Sequence, residues 1–164
     1  MLGTKNDSCY DLIMDESKLV ALLDSSDHLE VCSSLKALAK LSSPSSESLT
    51  KVIALARPGI VAVERNALAT LFAWGPRAAL AGPTLLASLA TQLSNAQCTY
   101  DCCGLHAFSF PIEGYIQALL SVEGISTRAQ LEERIFPKLE TQPNAELLKQ
   151  IFADIDDLAD WLDP

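Results

Sequence analysis

Residues 63–71 read VERNALATL, and three other stretches of the chain repeat their pattern. Each stretch begins with a β-branched residue, has a small or apolar residue at its fifth position, and often has others at its eighth and ninth. The counterparts are VCSSLKALA at 31–39, TYDCCGLHA at 99–107 and TRAQLEERI at 127–135, with successive spacings of 32, 36 and 28 residues. Because residues at these intervals share one side of a helix, each stretch predicts a packed helix.

A further helical segment precedes each of these stretches. The four segments read SKLVALL, SLTKVIALA, PTLLASLATQL and PIEGYIQALL. Two helices per unit, repeated four times, are typical of an α-solenoid, in which each unit buries its apolar face against its neighbours. The sequence therefore predicts an all-α fold, an α-solenoid of about four helical hairpins followed by an acidic C-terminal helix over about residues 144–162.

Capping residues and helix breakers predict where the helices begin and end. Ser26 or Asp27 can cap the second helix, Ser45 or Ser46 the third, and Ser126 or Thr127, with Gln130 or Glu133, can form a capping box. Residues 1–10 are expected to be a flexible N-terminus and residues 11–164 a single helical-repeat domain. The predicted helices cover residues 11–24, 27–41, 46–56, 59–74, 83–93, 97–108, 111–122 and 144–162, with a short helical turn at 76–81 and a further helix after the cap at Ser126 or Thr127.

The stretch VERNALATL and the helix before it resemble a HEAT or armadillo repeat, whose second helix has a Val-Arg-like start and an alanine-rich packing face. Arg65 stands one place later than the family pattern prefers, and Cys32 and Tyr100 occupy the arginine's place in two other repeats. The resemblance covers about residues 12–140. It implies a HEAT-like, right-handed stack of hairpins that binds another macromolecule more often than it catalyses a reaction.

Composition and charge exclude several classes of protein. A 49% hydrophobic content in 164 residues argues against disorder, and a net charge of −9 argues against nucleic-acid binding. From Asn66 to Tyr100 the only charged residue is Arg77. Gly75-Pro76 and Gly82-Pro83 interrupt this uncharged stretch. We therefore expect buried central helices and no membrane span. Five cysteines without a framework spacing, after an N-terminus that lacks a signal-peptide pattern, predict a cytoplasmic protein with reduced thiols.

Residues 98–108, CTYDCCGLHAF, raise the question of a metal or thiol site, because Cys98, Cys102 and His106 recur every four residues. The repeat pattern aligns Cys103 with packing-face positions, His106 with the margin of that face, and Cys98 and Cys102 with more polar positions. The four side chains are therefore not expected to converge on one ion, and no metal or cofactor is predicted. A metal site and a reactive thiol remain the alternatives.

The C-terminal sequence NAELLKQIFADIDDLADWLDP, residues 144–164, combines an apolar stripe with many acids. Residues 141–164 contain six acids and one lysine, a net of −5 out of −9. Because acids near a helix C-terminus are unfavourable, their presence suggests a docking surface for a basic protein; the alternative is a solubilising cap. The apolar stripe comprises Leu148, Ile151, Phe152, Ile155, Leu158, Ala159 and Leu162. The predicted partner-binding residues are Asp154, Asp156, Asp157, Asp160, Trp161 and Asp163, with Trp161 as the interface anchor.

No nucleophile–histidine pair, phosphate-binding loop or catalytic carboxylate pair is recognisable, so the sequence does not predict an enzyme. Its size, acidity and repeats favour a protein-binding module. By analogy of size and charge, we expect a stoichiometric inhibitor, such as an immunity protein that neutralises a basic bacterial toxin, for example a nuclease. The alternatives are a HEAT-like scaffold or adaptor without inhibitory activity, and a thiol- or metal-dependent enzyme built on residues 98–106.

Overall fold

The computed structural model describes residues 15–95, 111–155 and 157–162. Within these residues every regular element is a helix and no strand is present, which confirms the all-α prediction. The elements are α1 (Glu16–Leu22), α2 (His28–Leu38), α3 (Ser46–Leu55), α4 (Val61–Trp74), a 3₁₀ segment (Gly75–Ala81), α5 (Gly82–Asn95), α6 (Ile112–Val122), α7 (Arg128–Arg134), α8 (Phe136–Leu139), α9 (Ala145–Ala153) and α10 (Leu158–Leu162).

Side-chain caps begin three of these helices at the positions that the sequence predicts. Asp27 accepts a hydrogen bond from the Leu29 N–H at 2.8 Å, and Ser45 caps α3 in the same way. Thr127 and Gln130 form a capping box, in which each side chain accepts from the other residue's backbone N–H. Such caps satisfy N–H groups that the first turn of a helix leaves without a partner.

The helix α4 lies at the centre of the described structure. It packs against α2 and α3 and, most extensively, against α6, while α1 contacts α2 and α3, and α5 contacts α6. The helix α6, which the repeat pattern puts first in the fourth unit, therefore lies directly beside the second unit. The predicted helix over 97–108 and the first residues of the predicted helix over 11–24 lie outside the described residues. The number of repeats stays a prediction.

Hydrogen bonds from α4 fix its position against the C-terminal end of α2. The Thr70 hydroxyl donates to the Leu35 carbonyl at 3.0 Å, and the indole N–H of the buried Trp74 donates to the Leu38 carbonyl at 3.0 Å. Arg77, in the 3₁₀ segment after α4, donates to the Ser42 carbonyl in the loop that follows α2. The Leu35 and Leu38 carbonyls also accept from the Ala39 and Leu41 N–H groups, so each carbonyl accepts one hydrogen bond from the backbone and one from α4.

A buried acid joins α4 to α6. Glu64 is only 3% exposed, and its Oε1 accepts a hydrogen bond from the Tyr115 hydroxyl at 2.7 Å. The Tyr115 oxygen also lies 2.9 Å from the carbonyl oxygen of Ala56, at the end of α3, and the Gly59 N–H donates to Glu64 Oε2 at 3.3 Å. One carboxylate thus connects two helices and the loop between α3 and α4.

The C-terminal region is two short helices rather than the single helix predicted over 144–162. α9 ends at Ala153, residues 154, 155 and 157 are not helical, and α10 begins at Leu158. Asp154 occupies the C-cap of α9, with its N–H bonded to the Gln150 carbonyl at 3.0 Å. The aspartates of this stretch are better suited to the ends of helices than to a helix interior, because their short side chains compete for nearby backbone N–H groups.

We predict that Gly124→Ala destabilises the protein by about 1 kcal/mol, because residue 124 has φ +62° and an added side chain is strained there. Gly124 ends α6 in a Schellman motif, with the Ile125 N–H on the Leu120 carbonyl and its own N–H on the Ser121 carbonyl. The matched control is Gly59→Ala, whose new methyl group meets one backbone atom at 3.7 Å. Chemical denaturation measures both variants. Equal stabilities would contradict the assignment of strain to Gly124.

We also predict an alkaline decline in stability that depends on Tyr115. Burial, followed by the hydrogen bond to and the charge of Glu64, raises the pKa of the Tyr115 hydroxyl above its ordinary value of 10.0. Well below pH 10 the Tyr115 hydroxyl is protonated in both the folded and the unfolded protein. Above pH 10 the unfolded chain releases this proton more readily than the folded protein does, so the free energy of unfolding falls as pH rises.

The measurement is urea unfolding of the parent and Tyr115→Phe between neutral pH and pH values above 10. At neutral pH the variant should be less stable by about 1–3 kcal/mol, because the Glu64 carboxylate loses a buried donor. The difference between the two proteins should narrow as pH rises. A difference that stays constant would show that Tyr115 is not responsible for the decline.

Candidate functional site

The acidic C-terminal region is attached to the core by its apolar side chains. Leu148, Ile151 and Phe152 of α9 are fully buried, and Ile155 and Leu158 are almost so. At the start of α9, Asn144 adopts a left-handed conformation with φ 61°, and its amide donates to the Ser94 hydroxyl of α5 at 2.7 Å. Of the predicted stripe, Ala159 is instead exposed and Leu162 is half-buried, because the turn before α10 changes which side of that helix faces the core.

Arg128, from α7, closes the end of α9. Its guanidinium donates to the carbonyls of Phe152 and Ala153 at 3.1 and 2.9 Å, and its Nε donates to Glu132 at 2.8 Å. The same guanidinium lies over the Phe136 ring, 5.8 Å from its centroid. A helix C-terminus favours a nearby cation, and Arg128 supplies it from another element. The acid at the end of α9 is therefore accompanied by a positive charge.

The break between α9 and α10 reverses the electrostatics that the sequence suggested for Asp157 and Asp160. The Asp157 carboxylate accepts a hydrogen bond from the Ala159 N–H at 2.9 Å, and Asp160 stands in the first turn of α10. Carboxylates stabilise a helix N-terminus, where N–H groups and the positive end of the dipole are located. The prediction that these two acids burden a helix C-terminus is thus wrong, and local structure accounts for part of their presence.

The structure nevertheless leaves these acids accessible. Asp154, Asp157 and Asp160 are exposed, and Trp161 is half-buried against the core. Within the part of the chain that the structure describes, neither Asp157 nor Asp160 forms an ion pair. Asp156 and Asp163, the other two predicted partner-binding residues, lie outside the described residues. We call Asp154, Asp157, Asp160 and Trp161 the acidic surface.

A shallow depression of about 510 Å³ lies next to the acidic surface. Asp157, Leu158 and Ala159 line it on the α10 side, and Ser126, Thr127 and Arg128 line it on the α7 side. Its walls combine a carboxylate, two hydroxyls and a guanidinium with aliphatic groups. Such a mixed, open surface suits contact with a protein side chain better than enclosure of a small molecule, for which pockets are deeper and mainly apolar.

The possible metal and thiol site cannot be placed, because Cys98, Cys102, Cys103 and His106 lie outside the described residues. Among the described residues, no group of three His, Cys, Asp or Glu side chains could hold a metal ion. Cys32 of α2 is a free, half-buried thiol. None of the helices in residues 15–95, 111–155 and 157–162 is both long and apolar enough to cross a membrane.

Sequence reasoning missed two features of functional interest. One is the buried Glu64, which shares a helical side with Leu68 and Leu71 at intervals of four and seven residues; that spacing could have shown that it faces the core. The other is a mainly apolar groove of about 310 Å³ between α4 and α6, lined by Leu68 and Phe72 with Arg65, Glu113 and Gln117 among its polar members.

In comparisons with protein-family models, with curated proteins and with solved structures, nothing matches this chain.

We predict that Asp157→Ala frays α10, whereas Asp157→Asn does not, because asparagine also accepts from the Ala159 N–H. Loss of a cap of this kind costs about 0.5–2 kcal/mol locally. Fluorescence quenching reports the change, because Trp161 is half-buried whereas Trp74 is 1% exposed. Greater accessibility of Trp161 in Asp157→Ala alone is expected. Equal quenching in both variants would show that the cap does not hold α10.

Proposed function

We propose that this protein is a protein-binding module whose acidic surface docks a basic partner protein. The observation that carries the proposal is the fixed position of that surface: Ile155 and Leu158 are buried beside Asp154 and Asp157, which remain exposed. An interface needs charges held in place, because ordering flexible side chains on binding costs free energy. A disordered acidic tail would lack that advantage.

The arrangement of Asp157, Asp160 and Trp161 suits this role. Two carboxylates without ion pairs in the described residues can attract Lys and Arg side chains, and the partly exposed indole can supply the apolar anchor that interfaces use. The whole chain carries −9, so its field would also speed the approach of a cationic partner.

The more specific form of the proposal is a stoichiometric inhibitor of the immunity type, which covers the cationic active site of a basic toxin such as a nuclease. Its support is analogy: a short acidic chain, exposed carboxylates on a folded support, and no catalytic pattern in the sequence. A surface that mimics the charge of a phosphate backbone would compete directly with a nuclease's substrate.

A HEAT-like scaffold or adaptor is the second candidate, favoured by the helix packing. α1–α2 and α3–α4 can be taken as successive hairpins, because α2 contacts α4 and α1 contacts α3, and α6 then packs on α4 where the second helix of a third hairpin would lie. The groove between α4 and α6 would then lie between neighbouring units of the stack, where such proteins form extended binding surfaces.

The acidic surface can be tested with an oligolysine peptide as probe. We predict that Asp157→Asn/Asp160→Asn weakens peptide binding roughly two- to thirtyfold, since each exposed ion pair contributes about 0.2–1 kcal/mol. The matched control, Glu30→Gln/Glu113→Gln, removes the same charge from exposed positions on α2 and α6. Trp161 fluorescence follows binding at low and high salt, and the parent's affinity should fall as salt rises.

The comparison of the two variants decides the result. Weaker binding in the Asp157/Asp160 variant alone supports a localised docking surface. An equal loss in both variants would show that the peptide responds only to total charge, and the proposal would be abandoned. Circular dichroism checks that both variants keep the parent's helix content; Asn at residue 157 preserves the cap.

A further inference from the structure

The stretch from Asn66 to Asn95 is not wholly buried, although its lack of charge predicted buried central helices. Leu85, Leu86 and Leu89 of α5 do face the core. On the other side, Leu80 is 77% exposed, and Pro83 and Ala87 are exposed with it. Arg77 is the one charged residue in these thirty positions. A surface without acids in a chain of charge −9 requires an explanation.

Two grooves lie between this surface and either α3 or the loop that follows α3. The first, of about 290 Å³, lies between Leu80 and the outer side of α3, where Leu49, Ile53 and Ala54 line it. The second, of about 340 Å³, runs along α5 past Pro83, Thr84 and Ala87. Arg57 lines both grooves. We call this surface the neutral face, and its members are Ser46, Leu49, Thr50, Ile53, Ala54, Arg57, Leu80, Pro83, Thr84 and Ala87.

We infer that a second copy of this chain binds the neutral face, forming a two-fold homodimer in which α3 packs antiparallel to its counterpart. Two copies of a protein with charge −9 repel each other wherever acids meet. The neutral face brings no carboxylate to its centre, so two copies can approach there without that repulsion. Exposed Leu80 of each copy would then cover the apolar side of α3 on the other, and burial of both leucines favours association.

Two charges, one in the first turn of α3 and one in the loop that follows α3, agree with this geometry. Glu47 and Arg57 each stand five positions from Val52 in the sequence, so a two-fold axis that crosses the outer side of α3 level with Val52 brings Glu47 of each copy towards Arg57 of the other. Both side chains are exposed, and neither forms an ion pair or hydrogen bond with another described residue. Across the axis the two opposite charges become partners. A basic protein would instead meet the like charge of Arg57 on this face.

Sedimentation velocity over a range of concentrations tests the dimer. The parent should show a concentration-dependent dimer, and Leu80→Asp should weaken association at least tenfold, because it introduces a charge into the apolar centre. Leu29→Asp is the matched control: Leu29 is also 77% exposed but lies on α2, outside the neutral face. Its dimerisation should equal the parent's. A parent that stays monomeric at all concentrations overturns the inference, as does equal weakening by both aspartates.

A charge exchange tests the antiparallel arrangement. Arg57→Glu and Glu47→Arg should each weaken the dimer, because each places like charges together across the axis. The double variant Arg57→Glu/Glu47→Arg restores opposite pairs and should recover association. Failure of the double variant to dimerise, with helix content intact by circular dichroism, would overturn the arrangement. The neutral face shares no residue with the acidic surface, so this test and the peptide test can fail separately.

Discussion

The position of α4 between α2 and α6 is the constraint on which the rest of the described structure depends. Apolar burial alone would allow these helices to slide, because it has no direction. Two buried hydrogen bonds remove that freedom: the Trp74 indole N–H donates to the Leu38 carbonyl, and the Tyr115 hydroxyl donates to the Glu64 carboxylate. A buried donor or acceptor that loses its partner costs about 1–3 kcal/mol, so alternative registers are penalised at each side of α4.

This constraint reaches the acidic surface through α6. Tyr115 fixes α6 on α4, and α10 in turn contacts α6. At the other end of the same region, Arg128 from α7 binds the carbonyls at the end of α9, and Asn144 binds Ser94 of α5. The carboxylates of Asp157 and Asp160 are therefore held by contacts from several elements, rather than by the stability of a five-residue helix, which would be negligible alone.

The sequence predicts local features of this protein well and tertiary ones poorly. The caps at Asp27 and Thr127 involve residues two or three positions apart, so their signals are contained in short stretches. The break after Ala153 was missed because Arg128, which closes α9, stands some twenty-five residues earlier in the chain. No periodicity shows which distant cation will meet a helix end. An apolar stripe that continues from Leu148 to Leu162 fits two short helices as well as one long helix.

Two acidic residues, Glu64 and Asp157, show where prediction of an acid's role from the sequence fails. Glu64 is an acid on a packing side whose partner, Tyr115, is fifty-one residues away, so only the folded chain reveals its role. For Asp157 and Asp160 the sequence predicts docking residues partly because one continuous helix would place them near its negative C-terminal end, and the break after Ala153 removes that reason.

What remains of that argument is accessibility: Asp157 and Asp160 are exposed, without ion pairs in the described residues, and supported by a buried apolar side. The distribution of charge supports a specific role for these exposed acids, because acids are present at α10 and absent from the lining of the groove between Leu80 and α3. In a chain with a net charge of −9, a surface rich in acids attracts a basic partner but repels a second copy, so the two kinds of contact favour separate surfaces. A two-fold dimer would carry two acidic surfaces, and it would bind a partner with two basic sites more tightly than either surface alone, whereas a partner with one site would leave each copy acting independently.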